Sequence, residues 1–271
     1  MLLGAARELT ANPDFAGRLV FLFQPAEEHG QGARAMIANR VLERFGIDEI
    51  YGIHNWPRLA VGHFATRVGP LMASEDNAEI RIKGKGAHAA SPQRSKDPIV
   101  TGSHIVLALQ TIVSRRMDPL EQAVVSVTEF ITDGQVNVLP EHVVLRGDTR
   151  SYLPSVQKLI EHEMRAQATG PGTALGSEVD VDYRHVFAST VNHEAETGHA
   201  CTAAHRALGA DAVTPNFPPV MGSEDFGLFL EHRPGNFSYL GNGTDGPHCN
   251  EPLHNAAYDF NDTGITPGVA Y

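Results

Sequence analysis

Leu19-Val20-Phe21-Leu22-Phe23-Gln24-Pro25-Ala26-Glu27-Glu28 is the stretch from which the rest of the chain is read. Its five leading apolar residues predict a buried strand over residues 18–23. Two adjacent carboxylates, Glu27 and Glu28, follow just past the strand end. Neighbouring carboxylates both stay ionised cheaply only where positive charge sits between them. A metal ion supplies such charge, so that one carboxylate ligates while the other handles protons. A solvated acidic turn accounts for the same pair without any chemistry, and the pair alone leaves both readings open.

Around this stretch helices and strands alternate. A helix is expected over residues 2–9, and a second one from Gly32 to near Arg44. The apolar segment Glu49-Ile50-Tyr51-Gly52-Ile53 then leads to His54. Such alternation predicts an α/β domain with a parallel sheet. From about Ala73 the texture changes. Strands are expected over 77–84, 123–132, 142–150 and 178–184, with helices over 98–116 and 154–168. The order β-α-β-β-α-β is that of the ferredoxin-like split unit, whose antiparallel sheet can be covered by helices on one face. The α/β texture then returns, with a helix over 194–208, the segment 221–226, a helix to about 231 and a strand over 236–241. The chain therefore reads as an α/β domain in two pieces, residues 1–72 and 185–271. An α+β unit, residues 73–184, is inserted between them.

Composition narrows the function. The 271 residues, 42% of them hydrophobic, can bury one large core or two smaller ones. A formal net charge of −11 argues against nucleic acid or an anionic membrane as partner. No apolar stretch approaches the roughly 20 residues that span a bilayer, and no secretory leader pattern opens the chain. Two cysteines, Cys201 and Cys249, exclude a disulfide framework and make the cytoplasm the expected compartment. Fourteen histidines against 21 Lys+Arg favour a histidine-based metal site. Both ends read as cut. The helix at Met1-Leu2-Leu3-Gly4 starts without a cap, and Gly268-Val269-Ala270-Tyr271 halts within apolar sequence.

Several residues suit chemistry by type and setting. His54 follows a strand-like segment, where open α/β sheets place their sites. His254 stands in the polar loop Pro252-Leu253-His254-Asn255. With Glu28, the two histidines form the mixed carboxylate and imidazole set that zinc or manganese accepts. In Gly84-Lys85-Gly86-Ala87-His88 the glycines permit a tight turn that projects an imidazole. Asn137 and Arg150 are polar residues at strand ends. They either cap those strands or grip a substrate carboxylate, the guanidinium bidentately. No Gly-x-Ser-x-Gly elbow occurs, and Ser223 lies in Gly222-Ser223-Glu224-Asp225 instead.

Six motifs stand in a telling order: Gln24-Pro25-Ala26-Glu27-Glu28, Gly52-Ile53-His54-Asn55, the turn 86–92, Asn137-Val138-Leu139-Pro140, Met221-Gly222-Ser223-Glu224-Asp225-Phe226, and Leu253-His254-Asn255. Together they resemble the M20 family of metallo-amidohydrolases, in the branch of hippurate hydrolase, N-acyl-amino-acid deacylases and auxin-conjugate hydrolases. The resemblance covers essentially the whole chain. It implies a metallopeptidase-like catalytic domain with an inserted lid or dimerisation domain, a homodimer, and hydrolysis of the amide of a small N-acyl amino acid. It makes Glu27 the general base that activates a metal-bound water. Glu28, His54 and His254 become metal ligands. His88 becomes an oxyanion stabiliser serving the partner's site. Asn137, Arg150 and Glu224 become substrate-site residues.

The resemblance also implies two divalent metals per complete site, drawn from zinc, manganese, nickel or cobalt. In the family a Cys-Gly-His-Asp-like stretch, source of one Cys and one His ligand, precedes the segment matching Met1-Leu2-Leu3-Gly4-Ala5-Ala6. Three of five expected ligands stand in this sequence, which implies one metal or none here. A catalytically impaired remnant that keeps the fold and dimer is the alternative. Nothing in the spacing argues that His248 or Cys249 replaces the other two.

Overall fold

The strand Ile50–Pro57 lies parallel to Gly235–Gly243, with His54 opposite Tyr239. The coordinates are a computed structural model that describes residues 1–244 and 251–271. The chain divides into two units. One comprises Met1–Met72, Thr190–Val220 and Glu224–Tyr271, and the other Ala73–Ser189 with Met221–Ser223.

In the first unit the sheet order is Ile50–Pro57, Gly235–Gly243, Phe64–Ala65, Val213–Thr214. Gly235–Gly243 runs antiparallel to Phe64–Ala65, which pairs in parallel with Val213–Thr214. The sheet is therefore mixed, where sequence alternation predicts a parallel one. Gly235–Gly243 is buried along its whole length, as a strand flanked on both sides should be. The core around it gathers Leu42, Leu71, Phe226, Phe229, Phe237 and Tyr239. Gly52 is required there. A Cβ at that position would lie 2.7 Å from the Phe237 ring and 2.8 Å from that of Phe226.

Two expectations in this unit are corrected. Residues 18–23 form no strand. Val20 and Leu22 pack against the core while Leu19 and Phe23 are exposed, so the alternation of a strand is present. Among the described residues no strand pairs with it, and a strand needs a ladder partner as well as an apolar pattern. The helix expected from Gly32 to Arg44 is two, Gly32–Ala38 and Val41–Arg44. Arg40 separates them in the left-handed region at φ 59°.

The second unit holds four antiparallel strands in the order Ala123–Thr132, His142–Ser151, Glu75–Lys83, Glu178–Phe187. Counted along the chain this is 2-3-1-4, the ferredoxin-like order expected from β-α-β-β-α-β. Along Glu75–Lys83 every even-numbered residue is buried. Ile80, Ile82, Val143 and Leu145 meet Ile105, Leu109, Ile160 and Met164 of the helices Pro98–Thr111 and Pro154–Leu175. The first helix is capped by Asp97, whose carboxylate accepts from Ile99 N at 2.8 Å. It continues as a π-turn over Ile112–Arg116. The second runs seven residues beyond the expected stop at 168, through Pro171.

Candidate active site

Glu27, Glu28 and His29 form one 3₁₀ turn between two left-handed residues, Ala26 at φ 54° and Gly30 at φ 61°. An alanine in that region is strained and persists only where its surroundings hold it. Here the Ala26 carbonyl accepts from Gln31 N at 3.3 Å and Gly32 N at 3.2 Å. The buried Asp225 carboxylate accepts from the Gln24 side-chain amide on one oxygen and from Ala33 N, at 2.9 Å, on the other. It thereby clasps the stretch before the carboxylate pair to the helix after it. Gly32 permits this clasp, because a Cβ there would fall 1.9 Å from the Pro25 carbonyl oxygen.

The turn brings Glu27 against Glu224. The two side chains share a hydrogen bond, and Phe226 N donates to Glu224 Oε1 at 3.3 Å. Glu224 is buried. Burial first, and the neighbouring Glu27 charge second, push its carboxyl up to about 8. Glu27 is also raised, by its burial and then by the charges of Glu28 and Asp225, while the hydrogen bond from Glu224 opposes the rise. Neighbouring like charges disfavour ionisation of both carboxyls at once. Glu224, the more deeply buried of the two, is the carboxyl that burial favours as the neutral acid.

Beside this pair, Glu28 Oε2 lies 3.9 Å from His254 Nδ1. His254 sits at φ 65°, a left-handed position for a non-glycine residue. Its loop is tied to the sheet. Asn55 donates to the Tyr258 hydroxyl, Tyr258 N to the Asn255 carbonyl at 2.9 Å, and Asn242 Nδ2 to the Asp259 carbonyl at 2.9 Å. His54 lies within the strand Ile50–Pro57 and not past its end, with Nδ1 2.6 Å from the Asn55 carbonyl. Burial holds its imidazole below the ordinary value, against the pull of that carbonyl and of Glu28.

Two ligands about 2 Å from one ion stand roughly 3–4 Å apart. The gap between Glu28 and His254 fits one edge of such a sphere. Among the described residues, however, no three His, Cys, Asp or Glu side chains form a group that could hold a metal ion. The residues present thus match a divalent metal in donor chemistry but do not close around one. His248 and Cys249 lie outside the described residues.

The second unit holds the remaining predicted residues. His88 and Asn137 are brought together by the pairing of Ala87–His88 with Val138–Leu139, and Ala89 N donates to the Asn137 carbonyl at 3.0 Å. Ala90 N donates to His88 Nδ1 at 3.0 Å, which fixes the imidazole on its turn. Arg150 meets Glu75 at 2.9 Å and Asp148 at 2.9 Å, so its guanidinium is already engaged with carboxylates of the protein itself. Sequence reasoning passed over Asp225 and Glu75. The signal for Asp225 was in plain view, since Glu224-Asp225 is a second adjacent carboxylate pair.

The family model of peptidase family M20/M25/M40 matches residues 1–271, and the chain belongs to that family. It is 38% identical over 265 residues to the N-acetyl-L-cysteine deacetylase of Bacillus subtilis, covering 97% of this chain and 61% of that protein. It is 34% identical to the hippurate hydrolase of Campylobacter jejuni, covering 100% of this chain and 69% of that enzyme. The chain thus spans between three-fifths and seven-tenths of the length of these relatives. Among solved structures, a dinuclear metal-binding M20 peptidase from Bacillus subtilis superposes with a TM-score of 0.80 at 31% identity, over 99% of this chain and 67% of that one.

Proposed function

We propose that this chain carries the acid–base centre of an amidohydrolase that cleaves N-acyl amino acids into a carboxylic acid and an amino acid. The carrying observation is the 3₁₀ turn that sets Glu27 beside the buried carboxyl of Glu224, where burial raises both groups and favours Glu224 as the acid. Glu27 takes a proton from the attacking water and returns it to the leaving amine nitrogen. Glu28 and His254, with His54, are the donors offered to a divalent metal. Such an ion, when bound, supplies polarisation of the amide carbonyl. Which metal it is, and how many bind, belongs to this proposal. A dinuclear relative and the donor chemistry support a divalent ion.

His88 and Asn137 form the patch proposed to meet the substrate oxyanion and its neighbouring polar groups. N-acyl amino acids are supported as substrates by relatives named for N-acetylcysteine and hippurate. A homodimer through the Ala123–Thr132 edge and a cytoplasmic location complete the reading. No helix among the described residues is long and apolar enough to cross a membrane.

A non-catalytic role is the second reading, and the lack of a three-donor group among the described residues favours it. Metal stoichiometry of the purified chain, measured with hydrolysis of N-acetyl and N-benzoyl amino acids, separates the two. Bound metal with turnover excludes the non-catalytic role, and no metal with no turnover excludes activity of this chain. In the active case Glu27→Ala abolishes turnover while metal content stays, and Glu28→Ala loses metal. Near wild-type turnover in Glu27→Ala would overturn the base assignment.

A further inference from the structure

Arg150 is the residue on which sequence reasoning seats a substrate carboxylate, yet each of its nitrogens already has a partner. Nε donates to both oxygens of Asp148, at 3.1 and 2.9 Å. Nη1 donates to the Met221 carbonyl at 3.3 Å and to Ser223 Oγ at 3.1 Å. Nη2 meets Glu75 Oε2 at 2.9 Å. Ser223 Oγ donates in turn to the same Glu75 oxygen at 2.7 Å, which closes a ring of Glu75, Arg150 and Ser223. The ring is largely sheltered, with the Arg150 and Glu75 side chains 22% and 20% exposed. An incoming carboxylate would meet two resident carboxylates on the same guanidinium, and like charges repel.

The ring holds a short piece of chain with unusual thoroughness. The Met221 carbonyl and the Ser223 hydroxyl bond to Arg150, and the Gly222 carbonyl accepts from Ala73 N at 2.9 Å. All three residues from Met221 to Ser223 are therefore tied to the Ala73–Ser189 unit. One peptide bond later comes Glu224, whose carboxyl bonds Glu27. Nothing in the acid–base reading uses Glu75 or Ser223.

We infer that Glu75, Arg150 and Ser223 are positioning residues, a charged ring that fixes Met221–Ser223, the three residues of chain that lead into Glu224. The inference rests on the amidohydrolase reading. Geometry of this kind acts on the rate more than on binding, since small misplacements of an acid–base group cost one to two orders of magnitude in turnover.

The test uses the full chain supplied with Zn²⁺ or Mn²⁺ and an N-acetyl amino acid. Ser223→Ala is expected to lower kcat about ten-fold with KM changed less than about two-fold, and Ser223→Thr, which keeps the hydroxyl, to restore kcat. Glu75→Gln should behave like Ser223→Ala. An unchanged kcat in Ser223→Ala overturns the inference. So does an Arg150→Lys variant whose KM rises about ten-fold with kcat intact, because that is the mark of a guanidinium gripping substrate.

If the wild-type chain shows no turnover, the amidohydrolase reading fails by itself, and ¹³C NMR of the Glu224 carboxyl decides the ring. Ser223→Ala should then move the Glu224 titration midpoint by about half a unit or more, with Ser223→Thr restoring it. Glu27 and Asp225, the charged groups facing Glu224, are untouched by either variant. A midpoint unmoved by Ser223→Ala overturns the inference.

Discussion

Glu224 shows how one residue's surroundings set its chemistry. In water a glutamate ionises near 4.5, whereas here burial and the Glu27 charge push it up to about 8. The sign of the consequence follows from linkage. A carboxyl raised in the folded state favours folding fully below its unfolded value, and that contribution is lost as pH rises through the folded value. In chelator, the melting temperature should therefore fall between about pH 4.5 and 8. Glu224→Gln cannot ionise and should flatten this fall, most visibly at pH 8, in thermal melts at closely spaced pH values. An equal fall in the variant would show that Glu224 does not carry the proton. Glu27-Glu28 was legible from sequence because adjacent carboxylates are conspicuous. The Glu224 partnership was not, because nearly 200 residues of chain separate it from Glu27.

At the scale of single elements, the helix Pro154–Leu175 is the clearest case. Gly170-Pro171-Gly172 reads as a helix stop, since proline and glycine cost about 3 and 1 kcal/mol in helix interiors. The helix nevertheless continues to Leu175. Gly172 is buried, and a Cβ there would lie 2.4 Å from Val179 Cγ2 and 3.3 Å from the Ser177 carbonyl oxygen. The glycine lets the helix lie close on the Glu178–Phe187 strand, and the packing outweighs propensity. Two effects of opposite sign meet in Gly172→Ala. Helix propensity alone predicts a gain of about 1 kcal/mol, and overpacking a loss of about 1–3 kcal/mol. The 2.4 Å approach to a short, stiff valine decides for a net loss in urea denaturation, which Val179→Ala should relieve. The unpaired run at residues 18–23 teaches the converse. Its apolar run predicts a buried strand that the fold does not form, because a ladder partner is a tertiary fact.

At the scale of the whole molecule, Ala123–Thr132 stands at the end of its sheet with Phe130 and Ile131 40% and 44% exposed. Such an edge invites pairing. Light scattering coupled to size exclusion is expected to give twice the mass of one chain, and a monomer at micromolar concentration would remove the dimer from the proposed function. The sequence by itself determined the α/β class, the β-α-β-β-α-β order expected over residues 73–184 and the family. These rest on short-range periodicity and on motifs whose order along the chain is itself the signal. Tertiary structure decided that Glu27 meets Glu224, that Asp225 clasps the carboxylate turn, and that Arg150 is engaged by Glu75 and Asp148. Each of these joins residues far apart in sequence or competing for one partner. Ionisation and hydrogen bonding there depend on burial and on distances of a few ångströms, which only the folded chain sets.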